Sequence, residues 1–364
     1  MADTSPTIYL HIGPPKTGTT YLQDVMWRNR QLLHDRGIAL PGASPEDHFL
    51  AALDLRQLRF GGYDRPEAVG AWGRVVSRAL RSTASTVVIS HEIFAGAAET
   101  QIQRAVRSLS PAKVHVVYAA RDLARQLPAV WQETLKNRRS RPYGQFLTTT
   151  LDRRSRPDEA RGFWRGQNPV ETLRRWSTAV PADRIHVVTL PQPPAPPGTL
   201  WTRFCAVLQT SPDGFDTEVA RANSSLSPVQ AEMLRRLNKA LPDDLPWPAY
   251  ERLVKQRFNQ LGEARPSQPR LLVPDRYRDA VLARTDSIRE DLARAGYDII
   301  GGLDELVPDD SSFGSVPRPA HRRVADASVD LLATVLTEQA AAHSRPRRWA
   351  RRLSGQVRRL RGAQ

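Results

Sequence analysis

Short β-branched runs alternate along the chain with longer segments of helical spacing. Thr7–Ile12, Thr86–Ser90, Lys113–Ala119 and Arg184–Leu190 read as four strands. The segment after the first, Thr19 to Arg36, reads as a helix carrying Tyr21, Leu22, Val25 and Met26. A second follows the third strand, with Leu123, Leu127, Val130 and Trp131, and a third spans Thr199–Leu208 with Trp201, Phe204 and Leu208 on one side. The intervals between strands leave room for crossover helices. They predict an α/β fold with a central, mainly parallel sheet covered on both faces.

The pattern changes in four places. Residues 138–168 are polar and arginine-rich and contain Pro142, Gly144, Pro157, Gly162 and Gly166, which reads as a loop-rich insertion or lid. Its aromatics, Tyr143, Phe146, Phe163 and Trp164, either face a ligand or anchor the insertion to the core. Pro191–Gly198 is too proline-rich for a helix and is expected to be extended. From Ser227 to Ile300 the spacing is mainly helical, and Gly301–Pro319 reads as a connection. The expected division is a core over 7–230, a helical extension packed on it over 231–316, and a basic tail over 317–364, helical or disordered.

At 364 residues, the chain is long enough for one large α/β domain with additions, or for two modest ones. Cys205 is the single cysteine, so no disulfide framework exists within the chain. Its place in an apolar helix marks it as a small buried residue rather than a nucleophile. No apolar run approaches membrane-spanning length, and Met1–Thr7 lacks a basic region and an apolar signal core. A cytoplasmic enzyme, peripheral at the inner membrane face if its tail binds there, is the expectation. The formal charge is +15, with eight arginines and no acid in residues 345–364. The body is therefore only mildly basic. No zinc-finger spacing or RNA-binding aromatic motif accompanies the charge, so no specific nucleic-acid partner is expected.

The strongest chemical signal lies directly after the first strand, in Gly13-Pro14-Pro15-Lys16-Thr17-Gly18-Thr19-Thr20. Strand, glycine turn and helix N-terminus form a cradle for a phosphate or sulfate. Gly13 and Gly18 have the spacing of a nucleotide P-loop, but Thr19 occupies the lysine position and the lysine sits earlier, at Lys16. That displacement argues against a magnesium-dependent kinase, the nearest enzymatic alternative. A noncatalytic anion-binding protein is the other. His91 and Glu92 follow the second strand, and Arg121 ends the third. In a parallel sheet these three segments converge beyond the strands' carboxyl ends. Either His91 or Glu92 could accept a proton from an acceptor. The plain alternatives are packing for His91, and a helix cap or ion pair for Glu92. Asp122 reads as a helix cap. Arg221, Asn223, Ser224 and Ser225 form a donor-rich stretch before a helix that starts near Pro228.

These residues resemble the PAPS-dependent sulfotransferases, in a bacterial-like form. The likeness rests on Pro15-Lys16-Thr17-Gly18-Thr19-Thr20 after a strand and on Tyr118-Ala119-Ala120-Arg121-Asp122 ending another, and it covers about residues 7–230. It implies a three-layer, kinase-like α/β fold. The implied reaction is in-line transfer of a sulfuryl group from 3′-phosphoadenosine-5′-phosphosulfate to a hydroxyl or amine, leaving adenosine 3′,5′-bisphosphate, with no metal. It further implies that Lys16 contacts the phosphosulfate bridge and that Pro15, Thr17, Gly18, Thr19 and Thr20 complete the 5′-phosphate site. Glu92 or His91 would be the base, and Arg121 a 3′-phosphate ligand, joined by donors among Arg221, Asn223, Ser224 and Ser225. The family's serine eight positions after the arginine is here Ala129, so one donor is missing. The acceptor class is a carbohydrate, a glycolipid or a small metabolite.

For the tail, Trp349, Leu353, Val357 and Leu360 recur at near-helical spacing with arginines between them. Three readings stay open: a helix on an anionic membrane, a disordered solubilising tail, or docking on the body or a partner.

Overall fold

The computed structural model describes residues 5–59, 62–152, 158–218, 225–263, 270–316 and 318–361. Its elements in chain order begin with β1 (Thr7–Gly13), α1 (Thr19–Arg28), α2 (Arg30–Asp35), β2 (Ile38–Ala39), α3 (Pro45–Arg56) and α4 (Ala71–Leu80). Next come β3 (Thr86–Ser90), α5 (Glu99–Ser108), β4 (Lys113–Ala120), α6 (Leu123–Lys136), α7 (Tyr143–Leu151), α8 (Asp158–Gln167) and α9 (Pro169–Trp176). Then follow β5 (Ile185–Thr189), α10 (Thr199–Val207), α11 (Pro228–Ala240), α12 (Trp247–Tyr250) and α13 (Gln256–Glu263). The chain closes with β6 (Val273–Pro274), α14 (Arg278–Arg294), β7 (Asp298–Ile300), β8 (Phe313–Gly314) and α15 (His321–Arg361).

Six strands form one sheet in the order β2-β3-β1-β4-β5-β7, and every neighbouring pair is parallel. The four strands expected from the apolar runs are its centre. Ile8, Leu10 and Ile12 pack on one face with α3, α4, α5, α9 and α14. Tyr9, Val88, Val117 and Val188 pack on the other with α1, α2 and α10. Burial on both faces explains why the strands read as continuous apolar runs, since each buried Val, Leu or Ile contributes roughly 1.5–3 kcal/mol. β6 and β8 make a separate two-stranded pair.

A third apolar cluster joins α6, α7, α8, α11, α12, α13, α14 and α15. It corrects the reading of 138–168 as loop-rich. Its described part holds two helices, with Tyr143, Phe146, Phe163 and Trp164 packed in or against that cluster. The aromatics are anchors, and burying them outweighs the helix-breaking tendency of the glycines. The division expected at 230 is also crossed. β7, from the supposed helical extension, adds to the sheet beside β5, and α14 packs on both clusters.

The helix expected over Thr19–Arg36 is two helices. Asn29 interrupts it, donating through Nδ2 to the carbonyls of Val25 (2.8 Å) and Asp216 (2.8 Å). Pro191–Gly198 carries no regular element, as its prolines require.

Candidate functional site

The strand order places β1 between β3 and β4. The chain passes to one side of β1 to form β2 and β3, then to the other for β4. Beyond the carboxyl ends of these strands lies the crevice where such sheets take ligands. The loop after β1, His91–Glu92 after β3 and Arg121 after β4 all sit there, as the sequence pattern implied.

The loop is held in an uncommon backbone shape. Gly13 (φ +89°), Lys16 (φ +71°) and Gly18 (φ +78°) are all left-handed, a region in which a lysine is rare. A Cβ on Gly13 would lie 2.6 Å from Cα of Glu92, so only glycine lets β1 end against that residue. A Cβ on Gly18 would lie 2.5 Å from Cδ2 of Leu200. Three successive loop carbonyls are engaged from within. Thr17 Oγ1 donates to the Pro14 oxygen (2.6 Å), Gln126 Nε2 to Pro15 (2.9 Å) and Arg121 Nη1 to Lys16 (2.9 Å). These bonds fix the loop and point its negative carbonyl ends at protein donors. Gly18 then caps α1 without a side-chain acceptor, and the first intrahelical bond runs from Leu22 N to Gly18 O (3.0 Å). The amides of the first turn face outward from the helix end, where an anion is favoured.

The side chains divide into those that face this end and those that brace it. Thr17 is a brace through Pro14, and its hydroxyl is not aimed at a ligand. Thr19 is buried at the start of α1, and Thr20 is exposed. Arg121 is also a brace, which modifies the role the sequence suggested. Burial lowers its pKa to about 10, still charged at neutral pH. Its Nε is buried with no partner, as is Nη2 of Arg125, so both retain donor capacity for an anion. Arg125 is oriented by Asp122, which caps α6 by accepting from the Arg125 amide (2.9 Å) and also binds its side chain.

Lys16 makes an ion pair that the sequence did not disclose. Its Nζ lies 2.7 Å from Oε2 of Glu133 on α6, and Lys255 Nζ lies 3.7 Å from the other carboxylate oxygen. Burial works to raise the Glu133 pKa. The two lysines outweigh it and bring the carboxyl down to about 2. The preceding residue, Gln132, is buried and clamps Leu226 through two bonds of 2.9 Å. This fastens the chain just after the donor-rich stretch to the helix that holds Lys16. Ser225 is exposed. Arg221, Asn223 and Ser224 lie outside the described residues.

The two base candidates differ in setting. His91 caps the following turn. Its Nδ1 accepts from the Ile93 amide (3.1 Å), its ring lies 5.3 Å from that of Phe49, and burial lowers its pKa. Glu92 lies against Gly13, and its Oε2 is buried without a partner. Of the two, Glu92 has the uncommitted atom beside the loop. Behind them is a polar cluster absent from the sequence reading. His11 Nδ1 bonds Ser90 Oγ (2.8 Å), Gln23 Nε2 donates to the same hydroxyl (3.2 Å), and His48 Nδ1 accepts from the Ser90 amide (3.3 Å). Only strand alternation hints at it, by placing His11 and Ser90 opposite each other in the β1–β3 register.

Three further side chains on these elements are structural, Cys205 as its apolar helix implied. Cys205 is buried, and burial pushes its thiol up to about 12. Arg203 ties α10 to the Thr189 carbonyl (2.7 Å) and to Glu305 (2.6 and 2.7 Å). Trp131 donates to the Arg141 carbonyl (2.9 Å) within the third cluster. Among the described residues, no helix is long and apolar enough to cross a membrane.

No family model matches the chain, and no curated protein matches it. Among solved structures it is similar to a sulfotransferase from Alicyclobacillus acidocaldarius, at 16% identity and a TM-score of 0.39, over 60% of this chain and 86% of that one. The functional reading therefore rests on the residues themselves.

Proposed function

We propose that the chain is a sulfotransferase that moves a sulfuryl group from 3′-phosphoadenosine-5′-phosphosulfate to a hydroxyl or amine of a carbohydrate, glycolipid or small metabolite. The observation that carries this reading is the Gly13–Gly18 loop. Its carbonyls are engaged from within, its lysine lies between the glycines, and it opens onto the outward amides of α1. Such a loop takes a phosphate or phosphosulfate without needing the lysine that follows the second glycine in NTP-binding loops.

In this reading the first-turn amides of α1 bind the 5′-phosphate. Arg121 Nε and Arg125 Nη2 supply further donors from the β4 side. Lys16 leaves Glu133 for the oxygen that bridges phosphorus and sulfur, and stabilises the charge that grows there. Glu92 accepts the acceptor's proton as the new S–O or S–N bond forms and the old S–O bond breaks. The proton ends on the carboxylate and the electron pair on the departing bisphosphate.

Calorimetry with the full chain tests this directly. Adenosine 3′,5′-bisphosphate is expected to bind without metal and more tightly than AMP. Equal affinity for the two, with much tighter binding of Mg-ATP, would overturn the reading in favour of a kinase. Bisphosphate binding without transfer to any acceptor would favour a noncatalytic anion-binding protein.

A further inference from the structure

Helix α15 runs for 41 residues, from His321 to Arg361, a length of about 60 Å. Its first half is seated on the body. Val324 is buried in the third cluster, Ala327 and Leu331 pack against it, and Glu338 receives Arg257 Nη1 at 2.7 Å. The same half has a second apolar stripe facing solvent, with Val329, Leu332 and Leu336 exposed by 65%, 57% and 55%. The backbone continues helical past Glu338 through the arginine-rich sequence.

By sequence position, that distal half is strongly two-sided. Trp349, Ala350, Leu353, Val357 and Leu360 follow one another at spacings of one, three, four and three. At the helical period they share a single arc of about 100°. Arg345, Arg347, Arg348, Arg351, Arg352, Arg358, Arg359 and Arg361 fall on the rest of the circumference, and residues 345–364 contain no acid.

We propose that the distal half of α15 is a membrane-surface helix that lies on an anionic bilayer. Its apolar arc would enter the boundary between headgroups and acyl chains while its arginines meet the lipid phosphates. Charge decides between this partner and a second copy of the chain. Pairing two such segments in either direction sets arginines against arginines. Gln339, His343 and Pro346 also fall where a seam continuing from Leu336 would need apolar residues. A nucleic acid would account for the arginines and would leave the Trp349–Leu360 arc without a role.

The test is flotation of the full chain on vesicles at physiological salt. Vesicles containing phosphatidylglycerol are compared with pure phosphatidylcholine. Retention on the anionic vesicles only is expected. The double substitution Leu353→Ser with Val357→Ser, which keeps every charge, should lower retention about tenfold, as loss of apolar insertion requires. Arg351→Gln with Arg352→Gln and Arg358→Gln should lower it similarly. Unchanged far-UV circular dichroism and melting in both variants would show that the body is intact. Absence of flotation overturns the proposal. So does undiminished retention of the serine variant, which would reduce the effect to general polyanion attraction. Light scattering that shows a dimer lost in the serine variant, without flotation of either form, would assign the arc to a second copy.

Discussion

Lys16 is set by two constraints that act at different atoms. Arg121 holds its carbonyl and Glu133 holds its ammonium. Replacing it with alanine removes the charge and keeps the bracing of the loop. Lys16→Ala is expected to lower sulfuryl transfer by about 10²–10³-fold, the effect of losing one preorganised charge-stabilising donor, and to lower the melting temperature as well, because Glu133 loses its nearer partner. Unchanged turnover would remove Lys16 from the chemistry. Glu133 competes with any incoming anion for the same ammonium. Glu133→Gln should therefore tighten adenosine 3′,5′-bisphosphate binding roughly tenfold, which corresponds to about 1.4 kcal/mol. Weaker binding in calorimetry would mean that Glu133 positions the lysine for the ligand. The base assignment separates in the same way. Glu92→Gln should depress turnover strongly and leave bisphosphate binding intact, because its unpartnered oxygen is proposed to face the acceptor. His91→Asn should act mainly on stability, through the lost ring contact with Phe49, since asparagine can still cap the turn at Ile93. Severe loss of turnover in His91→Asn with none in Glu92→Gln would reverse the roles.

The loop that carries this chemistry is an element whose shape depends on particular glycines. Gly13 and Gly198 have nearly the same left-handed backbone, φ +89° and +82°, but a Cβ on Gly198 meets nothing within 4 Å. The pair therefore isolates steric contact from backbone strain. Gly198→Ala is expected to cost about 1 kcal/mol in chemical denaturation. Gly13→Ala should cost about 2–4 kcal/mol and abolish bisphosphate binding, because the added carbon must displace the Glu92 backbone. Equal costs would show that β1 can shift away from Glu92 freely. Elements of this kind were legible in the sequence because each declares itself locally. The parallel strands appear as apolar runs, and the loop appears as glycines and a lysine at a strand end. The α6 cap at Asp122 is equally local. What escaped depends on contacts distant in sequence. Asn29 breaks a helix because Asp216 is nearby. Glu133 looks like any helical acid until the loop comes within 2.7 Å of it. Asp298–Ile300 is too short to read as a strand, and is paired with β5 in part by the bond from His186 Nδ1 to Asp298 (2.7 Å).

At the scale of the whole molecule, His11, His48 and His115 link stability to pH in one direction. Burial, assisted by His91, lowers the pKa of His11 to about 3, and burial lowers that of His48 to about 4. For His115, burial and the adjoining His186 lower it to about 4. Each folded value lies below the ordinary value of 6.5, so each group is neutral in the fold and protonates more readily in the unfolded chain. The unfolded state then binds more protons as pH falls below about 6.5, and stability declines until the folded values are reached. The loss at pH 4 is roughly 2–3 kcal/mol for each of the two fully buried rings, and less for the partly exposed His115. Glu133 behaves differently within this range. Its folded pKa of about 2 against an ordinary 4.5 keeps its contribution intact until pH falls below about 4.5, after which it too is lost. Acid unfolding is therefore expected in two stages, a histidine stage between about pH 6.5 and 4 and a carboxylate stage below it. Urea titrations at pH 7, 5.5 and 4.5 should show the unfolding free energy falling at each step. His48→Gln should flatten the first stage, since glutamine can retain the hydrogen bonds to Ser90 and Pro41 without a titrating ring. A free energy constant from pH 7 to 4.5 in the unsubstituted chain would show that these rings accept protons in the folded state, and that the polar cluster behind the loop is open to water.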